Sequence, residues 1–232
     1  MKLYGIIIWI CFTCFSVSGQ KMSGQQLLDK AIGYHDPSGV WPTFNGTLEV
    51  SMVMPEGQAR EREIQINLPQ EYFSVRVKTD TLVTTYTLDK DICETSIKEI
   101  PANSKRTPCE TAQLYKNYYT YLFGLPMKLK DPGTIISEYA INQHFKGKDY
   151  LMLRASYKKE VGSDIWQFYF DPTTYAMEVY QFFKADPQGE GKNTGEYILL
   201  KDIKTISGIK FPKQRAWYYN KDDGYLGTDI LQ

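Results

Sequence analysis

The two histidines are the first candidates for chemistry in this sequence. His35 and His144 lie far apart, and the chain contains no HExxH motif. Its one CxxC spacing, from Cys11 to Cys14, falls in the apolar N-terminal segment and not beside a histidine. A GxSxG nucleophile motif is also missing, and the stretch GEGKNTG at 189–195 lacks the spacing of a phosphate-binding loop. We therefore expect no catalytic metal, no cofactor and no enzymatic activity. An esterase-like enzyme with an unrecognised site is the remaining catalytic alternative.

The cysteines carry the second candidate chemistry. Cys11 and Cys14 fall in an apolar N-terminal segment, and neither follows the small residue that lipidation requires. Cys93 and Cys109 would remain after that segment is removed, and an even pair in an exported protein favours a disulfide. Cys109 falls in the first turn of a predicted helix, where the pKa of a thiol is lowered, so a reactive thiol is the alternative.

Four charged residues have unusual neighbours. Asp36 and Asp171 each precede a proline, where making a turn is the usual role of an aspartate. Arg154 and Arg215 lie in apolar strand segments. An exposed strand face is the simplest explanation for these arginines, and a contact with the head group of a ligand is the functional alternative.

The N-terminal segment has the layout of a secretory signal peptide. Lys2 precedes an apolar stretch over 3–17, and small residues lead to Gly19. The stretch is shorter than the ~20 apolar residues that span a bilayer. We predict that residues 1–19 are removed and that residues 20–232 form one domain, with an uncleaved membrane anchor as the alternative.

The composition is that of an ordinary globular protein. The chain has 232 residues, of which 42% are apolar and 23% charged. The formal net charge is +0 and no basic run is present, so we expect no nucleic-acid partner. Tyrosine is the unusual component, with 18 copies, and it recurs in the elements that would position a site.

Alternating apolar and polar residues predict an antiparallel meander. Four successive segments with a period of two cover 46–54, 61–67, 72–79 and 81–88. Further strands are predicted at 134–141, 148–157, 164–171, 174–184, 194–202, 203–211, 213–220 and 225–231. The total of about twelve strands predicts a mainly β protein.

Two short helices accompany the strands. The first begins after Ser23, which forms a capping-box pattern with Gln26, and ends at Gly33. The second begins after Thr107 and ends at Gly124. Aromatic and apolar residues cover about half of its circumference. Such a face suits a boundary that is apolar on one side and wet at its edge, because tyrosine combines an apolar ring with a polar tip.

The segment DIWQFYFDPTTYAMEVYQFF, residues 164–183, reads as a hairpin in which almost every residue is aromatic or aliphatic. A turn over 171–174 would pair Phe170 with Tyr175 and Phe168 with Met177, unless a bulge shifts the register by one residue. One face of the hairpin would then be wholly apolar. That face either packs on a helix or lines a cavity for an apolar ligand.

The cavity hypothesis names nine residues. The hairpin would supply the wall and the second helix would close the cavity. The wall residues are Trp166, Phe168, Phe170, Tyr175, Met177 and Val179, and the closing residues are Tyr118, Tyr121 and Leu122.

Several segments carry a resemblance to a known superfamily. YLFGLPMKLKDPG, FYFDPTTYAMEVYQF and YILLKDIKTISGIKFPKQRAWYY resemble an uncharacterised family of exported bacterial proteins. Together with the leading helix, the meander and the tyrosine-rich helix, they resemble the LolA and LolB superfamily of periplasmic lipoprotein carriers. The resemblance implies an open, incomplete antiparallel β-barrel with two short helices plugging its mouth. It also implies binding of acyl chains or other apolar molecules, in the periplasm of a Gram-negative bacterium.

Two functional hypotheses of different classes follow. The first is a soluble carrier or sensor that binds a lipid, acyl chain or lipoprotein in the barrel, with an envelope membrane protein as a further partner. The second is a structural or assembly module of the cell envelope, with a packed aromatic core and no ligand.

Overall fold

The computed structural model describes residues 21–56, 59–79, 82–96 and 105–232. The predicted signal peptide, residues 1–19, lies outside the described residues. In the described part of the chain, thirteen strands and two α-helices form, so the prediction of a mainly β protein with two helices is confirmed. No helix in this part is long and apolar enough to cross a membrane.

The elements follow one another as a meander interrupted by α2. The helices are α1 (Gly24–His35) and α2 (Pro108–Gly124). The strands before α2 are β1 (Asn45–Val53), β2 (Arg60–Asn67), β3 (Tyr72–Thr79), β4 (Leu82–Asp89) and β5 (Ile92–Ser96). The strands after it are β6 (Thr134–Ile136), β7 (Ile141–Phe145), β8 (Lys148–Tyr157), β9 (Ile165–Phe170), β10 (Met177–Phe183), β11 (Glu196–Ile206), β12 (Ile209–Tyr219) and β13 (Tyr225–Leu231).

All thirteen described strands belong to one antiparallel sheet. Its order is β5-β4-β3-β2-β1-β13-β12-β11-β10-β9-β8-β6, and β7 pairs with β8 beside β6. The first and last described strands meet in the middle of the sheet, where β1 pairs with β13. Since β5 and β6 do not pair with each other in the described residues, the sheet is open, as predicted.

The two helices pack on one face of this sheet, here called the inner face. Helix α1 starts with the predicted capping box, in which Ser23 Oγ accepts from the Gln26 amide at 3.1 Å. Leu27 and Leu28 of α1 are fully buried against Phe168 and its neighbours. Helix α2 packs on β3, β4 and β5. Covering the inner face with helices removes its apolar side chains from water.

The outer face of the same sheet is also covered over β8–β11. Phe145, at the end of β7, packs on this face against two tyrosine rings. Its ring centroid lies 5.0 Å from that of Tyr169 and 5.4 Å from that of Tyr197. Lys146 lies in the turn between β7 and β8 and forms a salt bridge with Asp223 at 2.6 Å. This salt bridge links the β7–β8 hairpin to the β12–β13 turn. Apolar residues on both faces of the 164–183 hairpin are therefore buried, which explains why the hairpin lacks a polar stripe.

The sequence placed some strand boundaries wrongly. The predicted strand 203–211 is divided: residues 203–206 complete β11, 207–208 form a turn, and β12 begins at Ile209 rather than at residue 213. The turn between them is Ser207–Gly208, where both residues have positive φ, 51° and 85°. A two-residue turn of this kind matches the twist of the flanking strands. Strands β5 and β7 were missed because neither segment carries a clean alternating pattern.

His35 holds the end of α1 on the sheet. Its Nδ1 lies 2.7 Å from the carbonyl oxygen of Lys210 on β12, and its Nε2 lies 2.9 Å from the amide nitrogen of Met177 on β10. The amide must donate to Nε2, so the neutral ring donates from Nδ1. The helix α1 ends at His35, two residues beyond its predicted end at Gly33. Burial lowers the pKa of His35 to about 4, and the charges of Lys210 and Arg215 act in the same direction.

Acid should destabilise the fold through His35. An unfolded histidine has a pKa near 6.5, so the stabilisation by the neutral ring is complete above that pH and is lost as the pH falls towards 4. The loss should reach about 3 kcal/mol. In urea unfolding, the free energy of unfolding should fall less between neutral and acid pH for His35→Gln than for the unchanged protein. His144→Gln, at an exposed position, is the control, and an unchanged acid loss in His35→Gln would contradict this account.

Candidate ligand-binding cavity

A cavity of about 470 Å³ opens at one end of the inner face, between the sheet and α2. It is called the mouth cavity here. Nine aromatic or aliphatic side chains dominate its wall, and one glycine and three charged residues complete it. The lining residues are Met52, Met54, Arg60, Tyr118, Tyr121, Leu122, Asp164, Trp166, Phe182, Glu196, Trp217, Leu226 and Gly227.

Helix α2 presents different faces to the core and to the cavity. It begins, as predicted, with a capping box in which Thr107 Oγ1 accepts from the Glu110 amide at 3.2 Å. Tyr119 and Phe123 pack into the core, where Tyr119 stacks on Phe73 with ring centroids 6.4 Å apart. Another side of the helix carries Tyr118, Tyr121 and Leu122, which all line the mouth cavity.

A disulfide ties α2 to the edge of the sheet. The bond joins Cys93 in β5 to Cys109 in the first turn of α2, with Cα atoms 5.9 Å apart. This is the pair predicted from the sequence, and the alternative of a reactive thiol at Cys109 is wrong for this state. The bond fixes the start of the helix that closes the cavity.

Four of the nine residues predicted for the cavity line it, namely Trp166, Tyr118, Tyr121 and Leu122. Trp166 lies between α2 and β10. Its ring centroid is 5.3 Å from that of Tyr121 and 5.0 Å from that of Phe182. The hydroxyl groups of Tyr121 and Tyr157 are hydrogen bonded, which fixes the Tyr121 ring against the wall.

The other five lie elsewhere. Phe168, Phe170 and Met177 are at most 2% exposed and pack beneath α1. Tyr175 lies at the margin of that core, in the turn with φ of 63°, and Lys30 lies 4.7 Å from its ring centroid. Val179 lies on the outer face with Tyr169 and Tyr150.

The misplacement of Val179 comes from a bulge. Met177 pairs with Phe170 and Val179 with Tyr169, so Glu178 is an extra residue in β10. The predicted register is therefore wrong. Lys148 fixes the bulge, since its Nζ donates to Glu178 at 2.7 Å and to Asp171 at 2.8 Å. Bonding to Lys148 and to the turn amides holds the pKa of Asp171 well below its usual range.

Sequence reasoning missed five apolar residues of the cavity, which are Met52, Met54, Phe182, Trp217 and Leu226. Phe182 was part of the hairpin, but the bulge decides that it faces inwards. Met52 lies in β1 and Met54 just after it, whereas Trp217 lies in β12 and Leu226 in β13. Only the pairing of β13 with both β1 and β12 brings these four residues together. No local pattern carries that information.

The three charged lining residues differ in exposure, since Asp164 and Glu196 are half-buried. Burial raises the pKa of the Asp164 and Glu196 carboxyl groups, and the nearby positive charge of Lys184 opposes both shifts. Arg60 is exposed at the start of β2. The wall therefore combines a few charged groups with a mainly apolar lining, an arrangement typical of small-molecule sites.

A polar cluster is buried beside the cavity, and it is called the arginine cluster here. It consists of Arg62, Tyr119, Tyr180, Arg215 and Asp229. Arg215 is 2% exposed, so the interpretation that it lies on an exposed face is wrong. Its Nη1 donates to the Pro212 carbonyl at 3.1 Å, and its guanidinium carbon lies 4.3 Å from the centroid of the Phe123 ring.

Asp229 connects this cluster to the cavity wall. Its Oδ2 accepts from the indole nitrogen of Trp217 at 3.0 Å. Burial raises the pKa of Asp229, while the positive charges of Arg215 and Arg62 oppose the shift. Several atoms of the arginine cluster have no hydrogen-bond partner.

The remaining sequence candidates have structural partners. Asp36 accepts from the amides of Val40 and Trp41, and Asp171 accepts from those of Thr173 and Thr174, so both make turns. Both ring nitrogens of His35 are bonded to the backbone, which leaves neither free for catalysis. Within the described ranges, no group of three or more histidine, cysteine, aspartate or glutamate residues is arranged to hold a metal ion.

A family model matches residues 4–231 of the sequence. The chain belongs to DUF6503, a family of unknown function. No curated protein sequence matches this DUF6503 chain.

Solved structures show what the fold of this DUF6503 protein is similar to. A LolA superfamily protein from Nitrosomonas europaea aligns with a TM-score of 0.57 and 9% identity, over 91% of this chain and 92% of that one. A DUF1329 family protein from Desulfovibrio piger aligns with a TM-score of 0.46 and 9% identity, with the same coverage of 91% and 92%. The first similarity confirms the predicted LolA-like fold.

Removing the disulfide should destabilise this DUF6503 protein. The bond closes a loop with a sequence separation of 16 residues. The replacement of both Cys93 and Cys109 by serine should lower the free energy of unfolding by about 3 kcal/mol, measured in urea. The unchanged protein under reducing conditions is the matched control and should unfold at the same urea concentration as the double variant. Equal stability of the double variant and the oxidised unchanged protein would show that the bond contributes nothing.

Proposed function

We propose that this protein binds a lipid, acyl chain or lipoprotein in the mouth cavity, as a carrier or sensor. The observation that carries this proposal is the cavity itself. Only three of its thirteen lining residues are charged, and its aromatic wall is completed by α2 rather than by the sheet alone. An apolar hollow of this kind recovers its missing contacts when an apolar molecule fills it.

The energetics support an acyl chain as the occupant. Each methylene group transferred from water into the cavity contributes about 0.8 kcal/mol. Part of that gain is offset by the ordering of the chain and of the side chains around it. The wall side chains Trp166, Tyr121 and Phe182 are held by ring contacts and a hydroxyl hydrogen bond, which limits the cost of ordering them.

The fold and the disulfide support the proposed setting. The LolA-like fold agrees with the superfamily that the sequence resembles, and that resemblance implies binding inside the barrel. A disulfide is typical of oxidising compartments, which agrees with export. We infer that residues 1–19 are removed, that residues 20–232 act as one soluble periplasmic domain without catalytic activity, and that an envelope membrane protein receives or delivers the ligand.

A structural module of the cell envelope is the second candidate. The observation that favours it is the packing of Phe168, Phe170 and Met177, which are buried with the apolar side chains of α1 on the inner face. In this case, the apolar hairpin would serve only as a core and the mouth cavity would have no occupant.

A neutral apolar probe distinguishes these candidates. N-phenyl-1-naphthylamine should fluoresce on binding to the unchanged protein. Leu226→Arg should abolish that signal, because the new side chain would cross the cavity with its charge towards water. Tyr225→Arg is the matched control, since Tyr225 is the preceding residue, is 40% exposed and lies beside Tyr218 on the outer face.

Thermal unfolding of both variants should show that each is folded. Tyr225→Arg should bind the probe as the unchanged protein does. An unchanged protein that produces no fluorescence, or equal binding by the two folded variants, would refute ligand binding in the mouth cavity and favour the structural module.

A further inference from the structure

In the described chain, all buried side-chain nitrogen and oxygen atoms without a hydrogen-bond partner belong to the arginine cluster. Six buried side-chain nitrogen or oxygen atoms in the described residues lack a hydrogen-bond partner, and they are Arg62 Nε, Tyr119 Oη, Tyr180 Oη, Arg215 Nε, Arg215 Nη2 and Asp229 Oδ1. Buried polar groups are nearly always paired, so a concentration of exceptions in five neighbouring residues requires an explanation. It indicates a site for a polar group.

The chemistry of these atoms indicates which group fits. Three of the six are N–H donors of guanidinium groups, two are tyrosine hydroxyls, and Asp229 Oδ1 is the single pure acceptor. The cluster holds two guanidinium groups and one carboxylate, so it carries one excess positive charge when Asp229 is ionised. Donors in excess and a net positive charge together match an anion with several oxygen atoms.

The arrangement of the residues keeps the donors grouped. Asp229 is the Cα partner of Arg215 in the β12–β13 pairing, and its charge acts on both Arg215 and Arg62. No salt bridge joins either arginine to a carboxylate within the described ranges. The guanidinium carbon of Arg62 lies 5.9 Å from the centroid of the Tyr119 ring. The hydroxyls of Tyr119 and Tyr180 interact with Arg62 and Arg215, respectively, and each positive charge opposes the rise in tyrosine pKa that burial causes. Strands β2, β10, β12 and β13 and helix α2 each contribute one residue.

The arginine cluster and the mouth cavity share a boundary. In the strand pairing, Asp229 lies opposite Met52, and Met52 lies opposite Arg60. Both Met52 and Arg60 line the cavity. Trp217 also lines the cavity and donates to Asp229.

Tyr118 also lies at this boundary. It stacks on Trp217 with ring centroids 6.4 Å apart, lines the cavity and is 37% exposed. Its ring also contacts that of Tyr119 in the arginine cluster, with ring centroids 5.0 Å apart.

We propose that the arginine cluster is an anion subsite, and that the ligand is a single-tailed amphiphile with a carboxylate or phosphate head. The head binds between Arg62 and Arg215, with the hydroxyls of Tyr119 and Tyr180 as further donors, and the tail occupies the mouth cavity. Asp229 opposes the anion and limits its affinity, because it neutralises one of the two guanidinium charges. This inference rests on the proposed function, since the tail needs the cavity.

Calorimetric titration with two ligands of equal tail length tests the head group. Dodecanoate should bind the unchanged protein at least about tenfold more tightly than dodecan-1-ol, because only the carboxylate brings a negative charge to the two guanidinium groups. Arg215→Met and Arg62→Met should each lose that preference while retaining dodecan-1-ol binding. Arg76→Met, at an exposed position of β3, is the matched control and should keep the preference.

The outcomes separate the two proposals. Equal binding of dodecanoate and dodecan-1-ol by the unchanged protein would overturn the anion subsite and leave the proposed function standing. Binding of neither would refute the proposed function and the subsite with it. If Arg215→Met fails to fold, Arg62→Met and the comparison of the two ligands in the unchanged protein still decide.

Short anions test whether the tail matters. Acetate and inorganic phosphate should bind far more weakly than dodecanoate and dodecyl phosphate, because only the tailed molecules fill the cavity. Equal affinity of a short anion and its tailed counterpart would show that the cluster binds a free anion, and the assignment of an amphiphile would be wrong.

Discussion

The open sheet depends on burying one continuous apolar face. Thirteen described strands present their inner side chains to a single layer made by α1 and α2, and two helices cover only part of a sheet of that size. Helix α1 closes the part formed by β8–β12, and His35 fixes its end there. Helix α2 covers the β3–β5 side and is fixed by the disulfide. The mouth cavity is the apolar region that remains between α2 and the sheet.

This constraint gives the aromatic hairpin two roles along its length. Near the turn, Phe168, Phe170 and Met177 lie under α1 and are packed as a core. Near its open end, Trp166 and Phe182 are only partly buried at the margin of that core and line the cavity. The choice between a core and a cavity, left open by the sequence, therefore has a different answer at each end of one hairpin.

Periodicity and capping residues predicted most of the architecture. The period of two identified the meander, the capping boxes at Ser23 and Thr107 located both helices, and the residual cysteine pair predicted the disulfide. The register of β10 was not predictable from local pattern, because it depends on a bulge held by Lys148 from another strand. Met52, Met54, Trp217 and Leu226 of the cavity wall were missed because only the pairing of β13 with β1 and β12 brings them together.

Long-range pairing also hid the arginine cluster. Arg215 occupies an apolar strand segment, and local sequence favours an exposed face because an arginine is seldom fully buried. Only the pairing of β12 with β13 shows that Arg215 lies beside Asp229 on the inner face. Violations of the usual rule that buried polar groups are paired concentrate at functional sites. A buried group of this kind beside an apolar cavity is consistent with a ligand that has both a polar and an apolar part.

The central claim is that the mouth cavity holds an apolar molecule in the cell. Native mass spectrometry of the protein, isolated without detergent or denaturant from cells that produce it naturally, tests this most directly. We expect a folded species heavier than the bare chain by the mass of one small apolar or amphiphilic molecule, with the extra mass removed by organic solvent. A single species with the mass of the bare chain in every preparation would show that the cavity holds no such molecule.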